Sequence, residues 1–406
     1  MNQLFHSCLL LLLSASTLFS QGVAFQKSTL SKAFKLAETT KKPLFIEVYL
    51  HGCPHCETLA PILKEKEVGV FFNKHLVSFQ LEANAKESAD FQKQFNITYP
   101  EFPLFLFFQD QKLIHIATPA EHTDKAAFIK EVLSHGQQAL QPPQRAAQFK
   151  TRFDQGERDL MFLVQFAKAA KVQKDNDALR QINQAFAQTI TSPQDRLSQA
   201  GFYILKRFVD DFQNPLAQFF FQHLPDFTKQ YDIKEVREAG ERIIFHTLYG
   251  SKGDSLTIAE ITQMRDGMVG LGVEPREAST RTLLKELQTY LRTSNTIGAV
   301  NRFNQYRKGG QVDAPTYAYL LHFFNEKATD LSYLPETQQW ATDGLQALKP
   351  TEKNTQMEAD LYYEWAECLR RMNKKEIAKS LAQKSLNLAI ASKIDLKKYK
   401  ALLEKI

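Results

Sequence analysis

The sequence predicts an α/β domain followed by a long all-helical region, and three observations carry that prediction. Short β-branched and aromatic runs, among them "PLFIEVYL" and "PLFLFFQ", alternate with segments whose apolar residues recur at helical spacing. Past the punctuation "QPPQ" at residues 141–144 the strand-like runs cease and only helical spacing continues. A chain of 406 residues is also too long for one core of ordinary size, so at least two domains are expected.

The chain opens on "MNQLFHSCLLLLLSASTLFSQGVAF", in which an apolar stretch from Leu9 to Phe19 gives way to small residues. That is the outline of a secretory signal peptide over residues 1–24. The stretch is too short to span a bilayer, and Gly22, Val23 and Ala24 form a small-x-small cleavage pattern. A cut after Ser20 is the alternative. No Lys or Arg precedes the apolar stretch, so only the terminal amine and His6 supply positive charge there. The expectation is export to the periplasm or the extracellular space, with no stable membrane span once the leader is removed. Cys8 lies before the apolar stretch, the wrong place for a lipid-anchored mature N-terminus. Cys53, Cys56 and Cys368 would remain of the 4 cysteines, too few for a disulfide scaffold.

From Thr29 to Thr40, "TLSKAFKLAETT" spaces Leu30, Phe34 and Ala37 as a helix does, and "KKP" ends it. Leu44 to Leu50 reads as a buried central strand that delivers the chain to Cys53. After Cys56, "ETLAPILKEKEVGVFF" has helical spacing with Pro61 as a kink or interruption, and the cysteines fall in the helix's first turn. A strand around Leu76 to Leu81 and a helix from about Ser88 to Phe95 follow. A strand from Leu104 to Phe108, another in "LIHIA" and a helix in "TDKAAFIKEVLSHGQQ" complete an α/β domain over residues 25–140.

Residues 141–406 read as helices throughout, in segments such as "DLMFLVQFAKAAKV", "LSQAGFYILKRFVDDF" and "TYAYLLHFFNEKA". The most regular pair, "ADLYYEWAECLRRMNKKEIAKSLAQKSLNLA", aligns Leu361, Trp365 and Leu369 on one helix and Ala378, Leu381 and Ser385 on the next. Small Ala366, Ala378 and Ala382 stand where the two helices would cross, and this pair resembles a tetratricopeptide repeat. Cys368, in "WAECL" between apolar positions, reads as a buried inert thiol.

Hydrophobic and charged contents of 43% and 24% are those of a folded globular protein. The formal net charge of +6 is scattered among acids rather than gathered in one run, so no nucleic-acid partner is implied. Asn96 in "NIT" would be a glycosylation acceptor only in a eukaryotic secretory pathway.

The chemistry is concentrated in "GCPHC", residues 52–56. Two cysteines at this spacing make a reactive dithiol, half a zinc site or a structural disulfide. Zinc would need about four ligands, and no second close pair of Cys or His follows. A disulfide closing so small a loop would stabilise little. A reactive thiol remains, and it needs its thiolate favoured. A helix N-terminus at Cys53 does that through unpaired amides and the dipole, and His55 can add a cation or a hydrogen bond. Cys56, one turn on, is placed as the resolving thiol.

The stretch "FIEVYLHGCPHCETLAP" is similar to the active-site strand and helix of the thioredoxin superfamily, above all its protein disulfide isomerase domains. Pro54 and His55 between the cysteines resemble the pair in the periplasmic disulfide oxidase family. The resemblance covers roughly residues 25 to 137 and implies an α/β thioredoxin fold there, which the helical spacing beyond it follows with an all-α helical-repeat domain. It further implies a buried acid six residues before the first cysteine, here Glu47, relaying a proton to or from the resolving thiol. An exposed Glu on a strand edge is the alternative at that position. A cis-proline facing the dithiol is implied as well, and Pro103, directly before "LFLFF", is preferred to Pro100. Where the family has Trp before the first cysteine this chain has Gly52, preceded by His51, which reads as a surface residue.

An exported thiol-disulfide oxidoreductase is therefore expected, exchanging disulfides with protein or peptide substrates and with a redox partner protein. It needs no organic cofactor or metal, because the cysteines carry the electrons. The helical region would serve as a docking module, since helical repeats build extended concave faces. The competing expectation is a helical scaffold whose thioredoxin-like part is an adaptor or redox switch of little turnover.

Overall fold

The computed structural model describes residues 22–120 and 122–406, so the expected leader up to Gln21, with Cys8, lies outside the described residues. The chain divides into two compact units, the first ending at Asp195 and the second running from Arg196 to Ile406.

In the first unit, helix α1 (Leu30–Thr40) leads to strand β1 (Leu44–Tyr49) and helices α2 (Pro54–Leu63) and α3 (Lys66–His75). Strand β2 (Val77–Glu82), helix α4 (Lys86–Phe95), strands β3 (Leu104–Gln109) and β4 (Lys112–Ala117) and helix α5 (Lys125–Leu140) follow. The strands form one mixed sheet in the order β2-β1-β3-β4. β2 runs parallel to β1, whereas β3 is antiparallel to both β1 and β4. β1 is thus interior and buried on both faces, which is why its sequence is a near-continuous apolar run.

One face of the sheet carries Phe45, Phe105 and Phe107 against Leu59, Ile62 and Leu63 of α2, Phe72 of α3 and Val132 of α5. On the other face Phe108 meets Phe34 of α1 and Phe91 and Phe95 of α4 in edge and tilted contacts 4.7 to 5.5 Å between centroids. The α1 start is capped by the Thr29 side chain, which accepts from the amide of Lys32.

Three boundaries differ from the sequence reading, each because of contacts distant along the chain. Gly22, Val23 and Ala24, assigned above to the leader, belong to the folded unit. The amide of Val23 donates to the Leu63 carbonyl at 2.8 Å, and Ala24 donates to Oδ1 of Asn73 at 2.8 Å while Asn73 Nδ2 donates back to the Gly22 carbonyl at 3.0 Å. A cut after Ser20 keeps these bonds and a cut after Ala24 removes them.

This crossing also sets the break between α2 and α3, which falls at Lys64 and Glu65 and leaves Pro61 inside α2. Leu63 gives its carbonyl to the incoming Val23 amide instead of to a continuing helix. Both glycines at the crossing are required: a Cβ on Gly69 would lie 2.2 Å from the Gly22 carbonyl oxygen, and Gly22 itself has φ +79° with the Lys64 backbone against it.

After Leu140 the chain is helical, yet the first unit continues through α6 (Phe149–Asp154), α7 (Leu160–Val172) and α8 (Asn176–Thr189). The reason is the edge of the sheet. β4 is an outer strand, and the chain folds back over it, with the Ala146 amide donating to Nδ1 of buried His115 at 3.1 Å and Phe149 packing on the same ring. The compact unit therefore ends well beyond residue 140.

In the second unit Trp340, Phe303, Phe324, Leu321 and Cys368 anchor the main core. Within the helices Gln356–Arg371 and Lys375–Ala391, Leu361, Ala366, Leu369, Ala378, Ala382 and Ser385 are buried, and Trp365 and Leu381 are half-buried. No helix among the described residues is long and apolar enough to cross a membrane.

Replacing Gly69 by Ala should lower the stability of the first unit by about 2–3 kcal/mol, because backbone rather than a flexible side chain must give way. Hydrogen exchange of the β1 amides in rising urea measures it; an unchanged midpoint would show that the Gly22 crossing contributes nothing to the fold.

Candidate active site

β1 ends at Tyr49, and the chain turns through Leu50, His51 and Gly52 into α2. Gly52 has φ +75°, the left-handed conformation this turn needs, and the Cys53 amide closes the turn on the Leu50 carbonyl at 3.2 Å. Cys53 is the N-cap residue of α2 with extended backbone (φ −81°, ψ 118°), and Pro54 follows at the first helical position, where its missing amide costs nothing. The Cys53 side chain makes no capping hydrogen bond. Its carbonyl accepts from the amides of Cys56 and Glu57 at 3.0 and 3.1 Å, which starts the helix.

Both cysteines are free thiols. Cys53 is half-buried, while Cys56 is 7% exposed, so only the first sulfur meets an incoming group. The Cys56 thiol is pushed up to about 12, first by burial, and hydrogen bonding with Cys53 and the nearby charges of Cys53 and Glu47 add to the effect. His55 is exposed on the first turn of α2, and the Thr58 hydroxyl donates to its carbonyl at 2.9 Å. His51 is exposed as well.

Glu47 is buried at 2% exposure in the interior strand, with Gln80 of β2 and Phe105 of β3 on either side. It shares the sheet face of Phe45, the face covered by α2. Burial pushes its carboxyl up to about 7, partly offset by a 2.8 Å hydrogen bond that Nε2 of Gln80 donates to its Oε2. A carboxyl poised near neutrality therefore lies within electrostatic reach of the buried thiol.

The peptide bond between Phe102 and Pro103 is cis, and Pro103 is buried. Because Val48 near the end of β1 pairs with Leu104 at the start of β3, Pro103 stands at the same end of the sheet as the turn into α2. Pro100 sits half-buried in the preceding loop. The structure thus gathers Cys53, Pro54, His55, Cys56, Glu47 and Pro103 at the dithiol end of the first unit.

Gln80 escapes sequence reasoning. Its only signal is a polar residue inside the apolar run "VSFQLE", and its meaning depends on the parallel register that sets it beside Glu47. Cys368 lies in the second unit, fully buried, with its thiol donating to Oδ1 of Asn325 at 3.2 Å and pushed up to about 12 by burial. Among the described residues no group of three or more His, Cys, Asp or Glu side chains could hold a metal ion. No protein-family model matches this chain, and no curated protein sequence matches it.

The Glu47 carboxyl leaves a signature in stability. Between its ordinary value of 4.5 and about 7 the folded chain keeps a proton that the unfolded chain has released, so stability falls as pH rises through that window. His115 acts in the opposite sense: burial lowers it from 6.5 to about 3, so the unfolded chain takes up a proton first and stability falls as pH drops below 6.5. Glu47→Gln should then stabilise the first unit by about 2–3 kcal/mol at pH 8 and by little at pH 4.5. Urea unfolding of the reduced protein across this range measures the difference; an equal effect at both pH values would mean that Glu47 is ionised in the folded state throughout.

Proposed function

We propose that this chain is an exported thiol-disulfide oxidoreductase of the thioredoxin superfamily that exchanges disulfides with protein substrates through Cys53 and Cys56. The observation that carries the reading is the pairing of half-buried Cys53 with buried Cys56 at a helix N-terminus, near a buried carboxyl held near neutrality. The β2-β1-β3-β4 sheet and the cis bond at Pro103, at the same end of the sheet as the turn into α2, support the same reading.

In the reducing direction the Cys53 thiolate attacks one sulfur of a client disulfide, and the client's other sulfur leaves as a thiolate that takes a proton from solvent. A mixed disulfide joins Cys53 to the client. Cys56 then gives its proton to Glu47 and attacks Sγ of Cys53, releasing the second client thiolate, which is protonated in turn. The client gains two electrons and two protons, and Cys53 and Cys56 end as a disulfide for a redox partner to reduce. Oxidation of a client dithiol runs through the same steps reversed. The equilibrium with glutathione distinguishes the directions: about −120 mV marks a disulfide donor and about −270 mV a reductant.

Cys53→Ser should reduce insulin-disulfide reduction to the uncatalysed background, while Cys56→Ser should accumulate the mixed disulfide on non-reducing gels. Retained turnover in Cys53→Ser would refute the assignment. The resolving step should quicken as pH rises through about 7, and Glu47→Gln should remove that dependence.

The helices from Arg196 onward are the proposed docking module for the client or partner. Ile233, Phe245 and Tyr249 of the helix Ile233–Tyr249, each more than half exposed, support this. Phe245→Ser in the full chain should slow turnover of the physiological client several-fold and leave glutathione exchange unchanged; a client handled equally well by both proteins would remove the docking role.

A further inference from the structure

The loop that carries Pro103 is fastened from two sides. The fully buried Ser88 of α4 donates its hydroxyl to the Tyr99 hydroxyl at 3.1 Å. From the other side comes α7. The Thr98 amide donates to the carbonyl of Val172, the last residue of α7, at 2.9 Å. One turn earlier the Lys168 ammonium lies 3.4 Å from the Glu101 carboxylate and donates to the Thr118 carbonyl at 3.4 Å.

These links sit at the dithiol end of the sheet. β3 begins at Leu104, opposite Val48 near the end of β1, and β4 ends at Ala117, opposite Phe105. Covering the outer strand β4 does not require them, since Ala146 and Phe149 already engage it through His115. The C-terminal turns of α7 reach further, onto the loop between α4 and β3. Lys168 and Glu101 are 19% and 18% exposed, so their attraction is screened less than that of a surface pair.

We propose that α7, through Lys168, is the positioning element for the Pro103 loop and sets how an extended polypeptide bearing a disulfide lies across Cys53. This rests on the oxidoreductase reading. A polypeptide lying along the loop pairs with its backbone, so a shift of a fraction of an ångström there weakens binding before it affects the sulfur chemistry. A small disulfide meets only the two cysteines and does not register the loop. Lys168 is therefore a positioning residue for protein substrates, and the helices past Leu140 are a working part of the site.

The test is steady-state kinetics of the full chain with insulin as the protein disulfide, beside equilibration with glutathione. Lys168→Met should raise the KM for insulin about five-fold with kcat unchanged, and leave glutathione exchange unaltered. Lys168→Arg, which keeps the charge, should return KM to the parent value. An unchanged KM in Lys168→Met, or an equal loss with insulin and glutathione, overturns the proposal. Should Lys168→Met fail to fold, Glu101→Gln removes the same ion pair from the loop side and is held to the same outcomes. If the parent dithiol does not exchange with glutathione at all, the oxidoreductase reading falls and this proposal falls with it; exchange without any effect of the variants overturns this proposal alone.

Discussion

The pairing of β1 on both of its edges is the constraint on which the first unit depends. β2 takes one edge and β3 the other, so β1 is enclosed, and every side chain from Leu44 to Val48 is removed from water. Enclosure makes an apolar strand favourable and makes Glu47 costly. It also fixes where the chain emerges. The only exit at the C-terminal end of a central strand is over the sheet, and the Leu50–Gly52 turn sends it into α2 with Cys53 at the helix's first open amides.

The electrostatics of the dithiol end follow from that enclosure. Glu47 has a single neutral donor, Gln80, as its side-chain partner, so no cation offsets the loss of water and its carboxyl rises towards neutrality. Cys56, on the buried side of α2, is disfavoured as a thiolate by burial as well. Burial that raises the carboxyl also makes its ionised form a stronger base than an ordinary carboxylate, and this suits it to take the proton of the Cys56 thiol as that sulfur attacks. The turn leaves Cys53 as the accessible sulfur of the pair.

Much of this was legible in the sequence because the signals are local. The continuous apolar run of β1, the Gly52-Cys53-Pro54 turn and cap, and the helical spacing after Cys56 all depend on neighbours a few residues apart. Pro103 was singled out only through the family resemblance, which implies a cis-proline directly before the apolar β3 run. Glu47 was readable in two ways, because whether a strand is central or at an edge depends on which strands join it. Gln80 was not readable at all, since only the register of β1 with β2 brings it to Glu47.

The sequence by itself determined the order of strands and helices, the change to an all-helical chain after residue 140, and the placement of a dithiol at a strand-to-helix turn. Those follow from side-chain periodicity and backbone preference, which act over a turn or a strand. Tertiary structure alone decided that residues 22–24 are built into the fold, that α2 stops at Leu63 rather than at Pro61, and that the first unit extends to Asp195. It also decided that α7 grips the Pro103 loop. Each of these is a contact between segments tens of residues apart, made because a glycine crossing, an uncovered strand edge or an unpaired backbone group was left to be satisfied, and nothing in the local sequence records which distant segment will satisfy it.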